Sequence, residues 1–319
     1  MDMNQKYSTL LKAYEDSGIE TLSILIQRGQ VLDPSDINKK NYYKGDTLLS
    51  LAASRGHKDI LEILIACGAN VGEISDSGYT TMILAAQKGY EEIVESLIDK
   101  GLDVNAKNHN GDSALILAAQ NGFKEVVEVL INNGANVNGR NNDCNTPLIF
   151  AAQGDGYRDI AELLIIKGAD VNAQNNIGDT ALHKAAYYGL KDIVDLLMVK
   201  GADVNKENDE GDRPLHKVTT YGWCDIAKLL IQKGADVNVK NNVGDTPLHK
   251  AVGYGFEDVI ELLISEKADI NIMNNEGYTP LDCESKWVKK DRTDSNTIIM
   301  DSARKYYELS KMLENKSNI

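Results

Sequence analysis

Residues 178–189 read GDTALHKAAYYG, and the stretch returns twice, as GDRPLHKVTTYG over 211–222 and GDTPLHKAVGYG over 244–255. Weaker copies open at Gly45 (GDTLL), Gly78 (GYTTM), Gly111 (GDSAL), Cys144 (CNTPL) and Gly277 (GYTPL). Successive starts are 33, 33, 33, 34, 33, 33 and 33 residues apart, the 34 arising from one extra residue in AAQGDGYRDI at 151–160. A second signature closes the units: GANVG at Gly68, GLDVN at Gly101, GANVN at Gly134, and GADVN at Gly168, Gly201 and Gly234. Self-similarity at a fixed period over most of a chain predicts a stacked repeat array, because no unit of this size buries its apolar face alone.

Each unit reads as one supersecondary motif. Thr180 is placed to cap a helix whose first turn tolerates proline, as at Pro147, Pro214, Pro247 and Pro280. That helix buries Leu182, Ala185 and Ala186, and Gly189 ends it in a tight turn. A second helix, KDIVDLLMVK, carries Ile193, Val194, Leu196 and Leu197 at helical spacing. Gly201 stops it, and the polar ADVNKENDEGD leads to the next copy. Three departures stand out: Cys144 in place of the hairpin glycine, Arg213 in place of the capping threonine, and Lys267 in place of the glycine that ends a second helix.

The period, the G-x-T-P-L-H start, the following A-A and the closing G-A-D-V-N together resemble the ankyrin repeat family, across nearly the whole chain. The resemblance implies an all-α repeat solenoid of L-shaped units, each a β-hairpin turn plus two antiparallel helices, with hairpins and first helices forming a concave face. On this reading the chain is a single solenoid of nine units. Residues 1–38 form an amino-terminal capping helix pair and loop, 39–276 seven full repeats, and 277–319 a carboxy-terminal capping unit with a polar insertion at 284–297.

Equivalent positions in a stack form columns, with rungs roughly 10 Å apart at helix-packing distances. The hairpin position after glycine holds Asp46, Asp112, Asp179, Asp212 and Asp245, an expected acidic rim at the hairpin tips. Each of these also suits a turn and a helix amino terminus. His183, His216 and His249 stand in register, too far apart to share a metal ion, and the resemblance implies structural hydrogen bonding. Beside them Lys184, Lys217 and Lys250 replace Leu51, Leu84, Leu117 and Phe150 of earlier units. Four residues on, Tyr188, Tyr221 and Tyr254 share their helical face, and Trp287 falls at the same interval after Tyr254. With Tyr187, these lysines and aromatics are the expected partner-contacting letters, since Tyr and Trp are enriched at binding hot spots. Mutual Lys–Tyr cation–π contact, or duplication of one repeat, would generate the same columns.

Composition restricts the function classes. A formal charge of −14 disfavours nucleic acid as a partner and suits a partner with a basic surface. The only compact basic cluster, Lys286, Lys289, Lys290 and Arg292, reads as a solvated loop. Four dispersed cysteines without a metal-ligand spacing fit free thiols in a reducing cytoplasm. No signal peptide, membrane span, catalytic motif or cofactor motif is legible. The expectation is a monomeric, non-enzymatic protein–protein interaction module, without cofactor or metal, working through its concave face as an adaptor or bacterial effector. The alternative is a structural spacer without a dedicated site.

Overall fold

The computed structural model describes residues 45–283 without a break, together with residues 5–10, 12, 13, 26, 28 and 36–40. Trp287, the insertion at 284–297, the basic cluster and the expected last helix lie outside the described residues, as does most of the amino-terminal helix pair. The chain divides into two compact units, Met1–Ala169 and Asp170–Ile319.

In the first unit, helices pair as α1 (Leu48–Arg55) with α2 (Lys58–Ala66), α3 (Thr81–Lys88) with α4 (Glu91–Asp99), α5 (Ala114–Asn121) with α6 (Lys124–Asn132), and α7 (Pro147–Ala151) with α8 (Arg158–Ile166). In the second, the pairs are α9 (Ala181–Tyr188) with α10 (Lys191–Val199), α11 (Pro214–Tyr221) with α12 (Cys224–Gln232), and α13 (Pro247–Tyr254) with α14 (Glu257–Ser265). A 3₁₀ turn, Pro280–Asp282, packs on α13. Within each unit first helices pack on first helices and second on second, so the motif read from the sequence is the structural repeat.

Local chemistry sets the helix ends. Thr80, Thr146 and Thr180 sit in extended backbone and accept a hydrogen bond from the third helical N–H (3.1 Å, 3.2 Å and 3.4 Å), satisfying a donor that the helix leaves orphaned. Second helices have no side-chain cap; instead Asp59, Glu91, Glu125, Asp159, Asp192, Asp225 and Glu257 stand in their first turns, where a negative charge meets the helix dipole favourably. The extra residue at 151–160 has a visible consequence: α7 is only 5 residues long, against 8 in the other first helices.

The core is the seam between the helix rows. Leu182, Ala185, Ala186, Ile193, Val194, Leu196 and Leu197 are all buried, as their spacing predicts. A further contact ties repeat to repeat. Trp223 lies against Gly189 of the preceding repeat, where a Cβ would come within 2.6 Å of the indole. Gly189 is also left-handed, at φ +73°, so two separate constraints select glycine there. Tyr90 on Gly56, Phe123 on Gly89 and Phe256 on Gly222 repeat the arrangement.

The connecting hairpins are held by turn hydrogen bonds more than by strand ladders. Among the described residues the β-bridges are the isolated pairs Ile74–Thr80 and Lys107–Ser113. In the 175–179 turn, Asn175 N donates to Asp179 O and Gly178 N to Asn175 O, both at 3.0 Å.

Candidate functional site

The histidine column builds structure. His183 Nδ1 accepts from Thr180 N at 3.2 Å, which leaves the proton on Nε2 to donate to Asp212 O of the next repeat at 3.0 Å. His216 does the same between Arg213 N and Asp245 O, and His249 between Thr246 N and Tyr278 O. Each ring therefore staples its own helix start to the following hairpin. Burial holds all three imidazoles below their ordinary range, His216 at about 4. At the departure Arg213, His216 retains half of the capping arrangement while the guanidinium pairs with Glu207 at 2.9 Å.

The aspartates do not form the expected rim. Asp112, Asp179 and Asp212 are buried, and Asp46 and Asp245 partly so. The carboxylates of Asp112, Asp179, Asp212 and Asp245 face inward because the next hairpin donates to them. Asn141 Nδ2 reaches Asp112 Oδ1 at 2.9 Å, Asn208 reaches Asp179 at 2.8 Å, Asn241 reaches Asp212 at 2.7 Å, and Asn274 reaches Asp245 at 2.9 Å. These asparagines also organise their own turns, as when Asn208 Oδ1 accepts from Asp212 N at 2.9 Å. The asparagine column is a feature the sequence reading missed, although its letters recur at the repeat interval.

The lysines, too, are less free than the sequence implies. Lys184 Nζ lies 2.8 Å from Asp179 Oδ2, Lys217 Nζ 2.9 Å from Asp212 Oδ2 and 3.1 Å from Glu210, and Lys250 Nζ 3.3 Å from Asp245. They reach carboxylates rather than forming cation–π contacts with the tyrosines; among the described residues the cation–π pair is Arg55 over Tyr7, at 4.6 Å. Burial alone would raise the Asp179 and Asp212 carboxyls. Donation to Asp179 from Lys184 and Asn208, and to Asp212 from Asn241 and Lys217, outweighs it and holds both below the usual range. Burial likewise opposes the Lys217 ammonium, and its two carboxylates raise it nonetheless.

The tyrosines remain outward. Tyr187, Tyr188, Tyr221 and Tyr254 are 40%, 46%, 40% and 52% exposed. They do not form a simple ladder of equivalent positions. Tyr221 packs diagonally on Tyr187, ring centroids 4.5 Å apart, and Tyr187 meets Tyr188 at 4.8 Å, both edge-on. Partial burial, then the hydrogen bond with Tyr187, pushes the Tyr221 hydroxyl up to about 12. Trp223, absent from the expected site, braces this group from behind: its Nε1 donates to Tyr187 O at 3.2 Å, and it is itself 40% exposed. A cleft of about 430 Å³ opens beside the tyrosines, lined by Ile177, Asp179, Lys184, Tyr187, Tyr188, Asn208, Asp209, Glu210 and Lys217. Five of the expected site residues thus converge on one feature, whereas Lys250 and Tyr254 stand apart from it and Trp287 lies outside the described residues.

Three matters of class follow. Among the described residues no group of His, Cys, Asp and Glu is arranged to hold a metal ion, and no helix is long and apolar enough to cross a membrane. A family model described as ankyrin repeats (3 copies) matches residues 10–108, 102–175, 165–241 and 215–285. The chain belongs to the ankyrin repeat family, whose repeats generally mediate protein–protein interactions, and no catalytic domain is evident beside them. No curated protein matches the chain.

Proposed function

We propose that this chain is a non-enzymatic recognition module that binds a protein partner through its hairpins and first helices, with Tyr187, Tyr188, Tyr221 and Tyr254 as anchors. The supporting observation is the exposure of these tyrosines, 40–52%, on a face whose lysines are held by carboxylates of the same chain. Rigid amphipathic rings held by packing lose little entropy on binding, and such side chains dominate interface energetics. Lys184, Lys217, Lys250 and the aspartates enter this reading as groups that fix the face, and the tyrosines as groups that touch the partner. An adaptor in the cytoplasm, or an effector acting on host-cell proteins, is the setting it fits.

The test is selection of binders to the full chain from a displayed peptide library, followed by calorimetric titration of the variants. Tyr188→Ala and Tyr254→Ala should each weaken binding, and the triple change Tyr187→Ala/Tyr188→Ala/Tyr221→Ala should do so by about tenfold or more. Lys228→Ala, an exposed change on α12, should leave it unaltered. Equal binding by all variants, with melting curves intact, would overturn the tyrosine assignment, and a chain that captures no binder would favour the spacer reading.

A further inference from the structure

We infer that the cleft beside Tyr187 and Tyr188 receives an arginine side chain from an extended segment of the partner. This rests on the recognition reading above and adds the chemistry of what is recognised.

The charge on the cleft is the reverse of what its lysines suggest. Lys184 is held by Asp179 at 2.8 Å, and Lys217 is shared by Asp212 at 2.9 Å and Glu210 at 3.1 Å. Both ammonium groups are therefore spoken for, and their side chains are only 20% and 14% exposed. Glu210, by contrast, is 73% exposed and shares its one lysine with a better-buried carboxylate. Its second oxygen retains lone pairs for a donor. Asp209 is exposed, and its carboxylate has no hydrogen bond or ion pair among the described residues. Two cations thus face four carboxylates, and the unmet negative charge sits at the solvent side.

The walls add a second requirement. Tyr187 and Tyr188 present aromatic surface, and Ile177, 54% exposed, presents an apolar one. A ligand that satisfies all three needs a positive head, a planar group able to lie on tyrosine, and an aliphatic stem. Arginine has each: its guanidinium is weakly hydrated, stacks on aromatic rings and donates two parallel hydrogen bonds to a carboxylate. Lysine supplies the charge and stem but is a compact, strongly hydrated point charge. The volume of about 430 Å³ is at the small end for ligand sites, suited to one long side chain and its adjoining backbone.

Random decapeptides displayed against the full chain provide the test. Selected peptides should carry arginine at a fixed position, and replacing it by citrulline, its neutral isostere, should weaken binding by about thirtyfold, with lysine intermediate. In Asp209→Asn/Glu210→Gln the arginine and citrulline peptides should bind within about threefold of one another. The double variant leaves the Lys217–Asp212 pair in place, so its melting temperature checks that the fold is unchanged. Binders that depend on the tyrosines but lack a basic residue, or bind equally well with citrulline, would overturn the arginine assignment and leave the recognition reading standing. A library that yields no binders would count against both.

Discussion

Lys184 Nζ and Asp179 Oδ2 lie 2.8 Å apart, five residues along the chain, joining the first helix to the hairpin that precedes it. The other oxygen of the same carboxylate accepts from Asn208 of the next repeat at 2.8 Å. One buried group therefore couples helix, hairpin and neighbouring hairpin, and the arrangement returns at Asp212 with Lys217 and Asn241. A carboxylate taken out of water needs such partners, since unpaired burial of a charge is costly.

The first prediction follows from that coupling. Lys217→Met leaves the Asp212 carboxylate, 8% exposed, without its counter-ion. Urea unfolding should show a loss of about 2–4 kcal/mol. Adding Asp212→Asn should recover most of it, because the amide oxygen still accepts from Asn241 and no buried charge remains. Additive losses in the double variant would contradict the coupling.

Acid should weaken the second unit in the range where histidine titrates. His216 is held at about 4 by burial, against an ordinary 6.5, so the unfolded chain binds the extra proton first. Its contribution is complete above pH 6.5 and is lost as the pH falls toward 4, on the order of 2 kcal/mol by pH 5. His183 and His249 are depressed too and act in the same direction. Asp179 and Asp212, also depressed, contribute fully above the ordinary carboxylate value and fail only at lower pH. The equivalent positions in the first unit are Ser50, Ile83, Ile116 and Ile149, which do not titrate in this range. In Trp287→Phe, whose one remaining tryptophan is Trp223, the urea midpoint followed by fluorescence should be lower at pH 5 than at pH 7.5. An unchanged midpoint would contradict the prediction.

What was legible in the sequence was whatever depends on local rules. The repeat interval, the capping threonines, the αL glycines and the buried Leu182, Ala185 and Ala186 each follow from spacing and backbone preference. The histidine role was legible as well, through the resemblance. The charged ends were not. Lys184 and Tyr188 share a helical face, but the lysine stem turns toward the helix start, where the carboxylate of Asp179 waits. Asp179 in turn faces inward because Asn208 of another repeat donates to it, a partner 29 residues away. Tyr187 is among the expected residues but belongs to no column, because Thr220 and Gly253 occupy its equivalent places; its diagonal contact with Tyr221 was therefore not legible.

Gly72 marks a missing clamp. Elsewhere the last letter of the closing signature is asparagine, which bridges to the next repeat: Asn105 donates to Gly134 O at 3.1 Å and accepts from Asn136 N at 2.8 Å. Asn172 and Asn205 do likewise. A Cβ on Gly72 would meet only Asn70 Oδ1, at 3.5 Å, and its φ is not left-handed. Gly72→Asn should therefore stabilise the first unit by about 1–2 kcal/mol, from two solvent-exposed hydrogen bonds and reduced freedom of the unfolded chain. Asn105→Gly should lose a similar amount, and urea unfolding measures both.

Among the described residues, two other than glycine adopt left-handed backbone, Cys144 at φ 58° and Lys267 at φ 69°. Both stand where the other repeats have glycine, and each keeps the turn bond: Cys144 N donates to Asn141 O at 2.9 Å, and Lys267 N to Ile264 O at 3.0 Å. The turn thus forms in spite of the Cβ, which crowds the following carbonyl at a cost of about 1–2 kcal/mol. Cys144→Gly and Lys267→Gly should each recover about 1 kcal/mol, the remainder offset by the greater freedom of glycine in the unfolded chain. Cys144→Ala separates backbone from thiol, since it removes the sulfur but retains the Cβ. It should leave the urea midpoint nearly unchanged while Cys144→Gly raises it; equal gains from the two would place the cost in the sulfur and not in the backbone.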